Sequence, residues 1–403
     1  MRQCALGTPL LFVVLAVCFF LPGCSTSPRA ICEAPAAASS STCSCGAPGS
    51  GACPIDALQL LYATTTSNQI LGFSINSSGA LTALPSTTGP ANSESIVNTN
   101  SNALLFADPS TNSVDSFTAN LVTGAVTAIQ GSPFPLGTAS GGPTGIAFGP
   151  YFELYATEPN GTIVGLSTSG EVGGFSTPLV NSPYPAGVAP SQMAFAQQSS
   201  SGPYFLYVSD PGDATGGILA YSIASEGPLT QLQSSPFPTL PGANPTFMFS
   251  GNYTATFGSS GTPFLLVSLT NAARVAVFAI DSSTGVLTPA PGSPFSVGNG
   301  PGTILEDVSN HVFVMNTTDH TVSAFNLGSN GVLTAIGSPV AVGTASGGMV
   351  LVGSNSPNEL LIADTTASAI WTLNIDPTTG QPSQAGPSLT VPSPPLQLTY
   401  LAP

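Results

Sequence analysis

The chain has 403 residues, 42% of them hydrophobic, with 44 Gly and 39 Pro and only 5% charged residues. Apolar content at that level excludes a disordered chain, and Pro at that density excludes long helices and is poorly tolerated in central strands. Acidic residues number 18 against 3 basic ones, Arg2, Arg29 and Arg274, and Lys is missing altogether; no cationic cluster for nucleic acid or an anionic membrane surface can be assembled from these.

Residues 1–24, "MRQCALGTPLLFVVLAVCFFLPGC", open with a basic residue followed by an uninterrupted apolar run over 10–21. Twelve residues are too short to span a bilayer and suit the apolar core of a signal peptide over 1–23. The sequence Leu21-Pro22-Gly23-Cys24-Ser25 resembles the lipobox of bacterial lipoproteins, with Pro22 as a departure from its usual small residue. The resemblance implies cleavage before Cys24, lipidation of Cys24 and anchoring in a membrane. It also implies delivery to the outer membrane or periplasm, since Ser25 replaces the Asp that marks inner-membrane retention.

All 7 Cys lie in the first 53 residues. With Cys4 and Cys18 removed and Cys24 lipidated, Cys32, Cys43, Cys45 and Cys53 remain in an Ala/Ser/Gly/Pro-rich tether over 24–56. Four Cys outside the cytoplasm imply two disulfides in any of three pairings. The Cys43-x-Cys45 spacing is tighter than zinc sites use and no His is near, so no metal is expected there.

From residue 57 to 403 the chain repeats itself. "TGAVTAIQGSPFPLG" at 123–137 returns as "TGVLTPAPGSPFSVG" at 284–298 and "NGVLTAIGSPVAVG" at 330–343, with looser copies at 169–187 and 226–240. Each unit holds an apolar stretch, as in "GPTGIAF" 142–148, and a second apolar run, as in "LYVSDP" 206–211. A third run alternates, as in "RVAVFAID" 274–281, and the recurring phrase follows it. Anchors at Tyr62, Phe106, Tyr155, Tyr207, Leu266, Phe313 and Ile362 are spaced 44, 49, 52, 59, 47 and 49 residues apart. Period-2 alternation and four runs per unit predict an all-β fold, a seven-bladed β-propeller of four-stranded antiparallel blades. The first unit lacks an opening run, and the chain closes on an unmatched one, "PPLQLTYLAP" 394–403. The C-terminal strand is therefore expected to complete the first blade. In the recurring phrase, Gly79, Gly124, Gly227, Gly285 and Gly331 sit where a turn wants positive φ. The Ser-Pro-Phe is expected to stop the outer strand and start the run back to the axis.

"LYVSDPG" 206–212 and "LYATTTSN" 61–68, with the G-x-L-T and G-S-P-F phrases, resemble the Tyr-Val-Thr-Asn repeat proteins and the wider lactonase-type propellers, including 6-phosphogluconolactonase-like proteins. The resemblance implies the fold over 57–403. It carries no catalytic residues across, because the Arg/His/Glu cluster that lactone hydrolysis would use is not assembled here. The repeat register places Arg274, His320, Asp319 and Asp210 in second-to-third-strand turns on one face, and Glu306, Asp307 and His311 on the other. Arg274, His320, Asp319 and Asp210 are the weak catalytic candidates. Asp108, Asp210 and Asp364 also read as turn caps. Asp210-Pro-Gly-Asp213 offers oxygen ligands for Ca²⁺ without a full loop signature, so no cofactor is expected, with calcium or another divalent metal as the alternative. Trp371 shares a strand face with Leu373 and Ile375 and reads as packing. The expected function is a monomeric cell-envelope module that binds or scaffolds a protein, glycan or small molecule; the alternative is a lactone hydrolase, with a metal-held water as its nucleophile.

Overall fold

The computed structural model describes residues 58–402 except 77, 100–101, 138–140, 169–172, 198–202, 254–261, 346 and 354–358. The expected signal peptide and tether, with Cys24 and the other Cys residues, lie outside the described residues.

Seven antiparallel sheets follow one another along the chain. Each blade has an inner, second, third and outer strand, counted from the axis. Blade 4 is representative: Met193–Gln197, Tyr204–Ser209, Ile218–Ile223 and Leu229–Gln231, paired in that order. Blade 1 takes its second, third and outer strands from Gln59–Thr65, Gln69–Ile75 and Leu81–Ala83, and its inner strand from Pro395–Leu401. The closing register pairs Leu61 with Tyr400 and Tyr62 with Thr399. The expected closure is thus present.

Second strands read as unbroken apolar runs because both of their faces are buried. Leu60 and Tyr62 join the cluster between blades 1 and 2, while Leu61 and Ala63 join the one between blades 7 and 1. Seven such clusters occur, one between each pair of neighbouring blades. Each fully buried Leu, Phe or Val in them contributes about 1.5–3 kcal/mol. The core is therefore a ring of sandwiched interfaces, and Trp371 packs in the one between blades 6 and 7 as expected.

The recurring phrase does something different from the sequence expectation. The aromatic after Ser-Pro does not begin the return to the axis. It re-enters the sheet as a second piece of the outer edge: Phe134 pairs with Val114, Tyr184 with Ile163, Phe237 with Ile218 and Phe295 with Val275. Between the two pieces the outer strand leaves the ladder, through Ser132-Pro133, Ser182-Pro183, Ser235-Pro236 and Ser293-Pro294, all cis. The third-strand N–H groups left behind donate instead to the Ser Oγ. Ser116 N bonds Ser132 at 2.8 Å, Gly165 N Ser182 at 2.9 Å, Ala220 N Ser235 at 3.0 Å and Val277 N Ser293 at 2.9 Å. The phrase recurs because a buried N–H must be matched. Blade 6 keeps a continuous outer strand, Leu333–Ala341.

Candidate functional site at the axial mouth

Inner strands begin beside the axis, and their first residues share a pattern. A Pro lies in or just before the strand start, and a polar residue follows one or two positions on: Pro143-Thr144, Pro190-Ser191-Gln192, Pro245-Thr246, Pro301-Gly302-Thr303 and Pro395-Leu396-Gln397. Blade 2 supplies Glu94 and Ser95 at the same level. Together these residues frame a cavity of about 660 Å³ at one end of the axis. Among the described residues Glu94 is the one acidic residue in its lining, and no His, Lys or Arg lines it.

Hydroxyls at the ends of the second strands tie the mouth together. Thr157 in blade 3 donates to Ser191 O in blade 4 at 2.5 Å, and Ser209 to Thr246 O in blade 5 at 3.1 Å. Thr270 reaches Pro301 O in blade 6 at 2.9 Å, and Thr365 reaches Pro395 O in blade 1 at 2.6 Å. Ser95 Oγ accepts from Ile146 N across the blade 2–3 boundary at 3.1 Å. Each bond satisfies a backbone group of the next blade's inner strand, so the polar rim is held in a fixed geometry.

Arg274, His320, Asp319 and Asp210 lie outside this lining. Arg274 donates to Pro294 O of its own blade at 3.1 Å. His320 has φ 53 and its Nδ1 lies 3.0 Å from Ala345 O. Asp319 accepts from Asn299 N at 2.7 Å and Asn299 Nδ2 at 2.9 Å; the backbone bond first, then the side-chain bond, holds its carboxyl below the usual range. Asp210 accepts from Val188 N and Ala189 N, each at 2.8 Å, and from Gly212 N at 3.2 Å. Asp364 likewise accepts from Thr344 N at 3.2 Å and Ala367 N at 2.9 Å. Burial works against its charge, but these bonds and those from Trp371 and the Thr344 hydroxyl outweigh it, and the carboxyl stays low. Asp210, Asp319 and Asp364 therefore fasten the segment entering the inner strand of their own blade. Asp108 caps only its local turn, through Ser110 and Thr111.

The calcium alternative at Asp210–Asp213 meets a crowded carboxylate. Both Asp210 oxygens are already engaged by backbone N–H groups, and Asp213 Oδ1 accepts from Thr215 N at 2.6 Å. Among the described residues no three His, Cys, Asp or Glu side chains gather as a metal centre would need.

On the opposite face His311 Nδ1 lies 2.8 Å from Asp307 Oδ2, with both side chains buried. Glu306 beside them is pushed up to about 7, by burial first and by the Asp307 charge second. This group and the axial mouth belong to different ends of the ring, as the repeat register required.

Gln192, Gln397, Thr303 and Glu94 were not among the sequence candidates. None is chemically conspicuous alone, and each comes from a different repeat. The pattern that could have found Gln192, Thr303 and Gln397 is the Pro-led polar position repeated at the starts of the inner strands.

No protein-family model matches the chain, and no curated protein matches it either. Its fold is similar to solved structures. These include a periplasmic gluconolactonase of Pseudomonas aeruginosa, at TM-score 0.69 and 17% identity over 86% of this chain and 99% of that one. A candidate 6-phosphogluconolactonase of Bacteroides fragilis matches at TM-score 0.69 and 16% identity over 86% and 99%. Another, of Bacteroides uniformis, matches at TM-score 0.70 and 15% identity over 86% and 100%. At these identities the likeness is one of fold, the seven-bladed propeller.

Proposed function

We propose that the chain is an exported, lipid-anchored β-propeller of the cell envelope that binds a small uncharged molecule at the axial mouth. The observation that carries this reading is the mouth's composition: hydroxyls and amides with Glu94 as the one acidic residue and no cation. Such a rim recognises hydroxyl and amide donors and acceptors and offers no cationic partner to an anion. The four titratable candidates are spent on backbone around the rim. The lipobox-like Cys24 and the periplasmic location of one fold neighbour support an extracytoplasmic setting.

The second reading is lactone hydrolysis, favoured by Glu94 standing in a mouth whose fold neighbours carry lactonase names. Glu94 would act as general base on a water beside the bound lactone. A metal would enter only as an ion held by that carboxylate, with Glu94 supplying its oxygen ligands.

Glucono-δ-lactone, an uncharged polyol ester, tests both. Calorimetric binding with no hydrolysis above the solution rate, with or without added divalent metal, supports the binding reading. Turnover that disappears in Glu94→Gln replaces it with the hydrolase reading. Absence of binding by this and by related neutral sugars overturns both.

A further inference from the structure

Blades 2 and 3 enclose a second space that shares no lining residue with the axial mouth. It measures about 620 Å³ and runs along the third strand of blade 3, Thr162–Thr168, beside the re-entrant edge of blade 2 at Phe134–Pro135. Phe134, Leu136, Val164, Leu166 and Phe175 wall it, and each is 6% exposed or less, so the space is a slit and not an open bowl. The Phe134 and Phe175 rings meet edge to face at 5.6 Å. At the Thr162 end stands Glu158, the register partner of Thr162 and the last residue of the second strand, 1% exposed. Its Oε2 accepts from Thr162 Oγ1 at 3.1 Å, while Oε1 is buried and accepts no hydrogen bond among the described residues. Burial pushes this carboxyl up, against side-chain hydrogen bonds from Thr162, Asn112 and Asn160.

A buried carboxylate is costly unless a cation or enough donors meet it. The chain does not bring that cation. It has no Lys, and Arg274, the one Arg among the described residues, donates to Pro294 O in blade 5. Both His residues belong to blade 6. Calcium would ask for six or more oxygen ligands, and the walls here are hydrocarbon. An ammonium group on an unbranched alkyl stem answers both features: its N–H is the missing donor, and its stem lies against the apolar walls. We propose that the slit between blades 2 and 3 binds a primary alkylammonium group, with its head at Glu158 Oε1 and its stem between Phe134 and Leu136 on one side and Val164 and Phe175 on the other. The group comes either from a free amine or from a lysyl side chain of a partner protein. The chain's formal charge of −15 draws both sources in.

Pentylammonium chloride titrated calorimetrically into the purified full chain tests this. It is expected to bind, and n-pentanol, with the same stem and no charge, to bind at least about ten-fold more weakly. Tetramethylammonium, charged but without an N–H, should be weaker by a similar factor. Glu158→Gln should lower the affinity for pentylammonium at least about ten-fold. Should that variant not fold, Asn160→Lys alters an exposed turn residue whose side chain bonds the Thr162 hydroxyl at 2.7 Å. It sets an ammonium of the chain's own beside Glu158 and should block the site. Affinity should fall as pH falls and Glu158 takes up a proton. Nα-acetyl-lysine methylamide binding as well as pentylammonium identifies a partner's lysine as the source, and a preference for free diamines identifies a soluble amine. Equal affinity for n-pentanol, binding that survives both variants, or no binding of pentylammonium at pH 8 overturns the proposal.

Discussion

Tyr207 donates its hydroxyl hydrogen to the carbonyl oxygen of Gly285, 2.8 Å away and one blade further on. Tyr62 does the same to Gly124 at 2.9 Å, and Tyr155 bonds Gly227. The turn glycine is thus a docking point: a Cβ on Gly285, at φ +71, would lie 2.4 Å from the Phe205 ring of blade 4. Tyr207→Phe leaves a buried carbonyl unmatched and should cost about 1–2 kcal/mol. Gly285→Ala adds positive-φ strain to overpacking and should cost about 2–4 kcal/mol. Denaturant unfolding of both variants measures the difference, and equal stabilities would remove the docking role.

Loss of Ser293 Oγ leaves Val277 N–H without its acceptor. Ser293→Ala should destabilise by about 1–3 kcal/mol. Ser338, the matching position in the continuous outer strand of blade 6, is exposed, and Ser338→Ala should change stability by under about 0.5 kcal/mol. Thermal melts of the pair provide an internal control.

Stability should peak on the acid side of neutrality. Burial raises Glu306 to about 7 and Asp115 to about 6, the latter helped by the Asp108 charge. Their folded-state protons are retained where the unfolded chain has lost them. The stability they confer is whole below their ordinary carboxylate values and falls as pH rises through about 6 to 7. Hydrogen-bonded carboxyls run the other way: Asp281 is held at about 2 by Ser283 and Thr284, and its contribution is lost as pH falls through that value. Melts from pH 3 to 9 should therefore peak near pH 5. Glu306→Gln should recover roughly 2 kcal/mol of the loss at pH 8 and nothing at pH 4.

Trypsin should spare the folded propeller. Arg274 is its one basic site past residue 29, and it opens a strand paired with Leu269 and Ser296 while its side chain bonds Pro294 O. Electrophoresis after limited digestion checks this; a fragment ending at Arg274 would show that the edge opens. Cys24→Ala should move the protein from the membrane pellet to the soluble fraction if Cys24 carries the lipid anchor.

The ring can be read from the chain because strand periodicity and turn glycines are local, and because the missing first run and the surplus last run are complementary. Tyr62, Tyr155 and Tyr207 could be placed on strands, but not their hydroxyl partners, which lie 62 to 78 residues away. The Ser-Pro-Phe turn misled for a related reason: whether an aromatic leaves a sheet or re-enters it depends on an orphan N–H on the neighbouring third strand. The mouth was least legible. Glu94 and Gln397 are ordinary residues whose proximity exists only once the circle is complete.

That circle has a seam. Leu61 meets Tyr400 across nearly the whole propeller, so closing blade 1 carries the largest loop-closure entropy of any pairing in the ring. In a linear array of repeats the end units fray first and loss spreads inward. Here every blade has neighbours on both sides, and the one discontinuity is sewn inside a sheet. Unfolding must therefore begin by tearing that sheet or an interface between two intact blades. The barrier to opening sets the lifetime of the folded form, and durability outside the cytoplasm becomes a matter of rate.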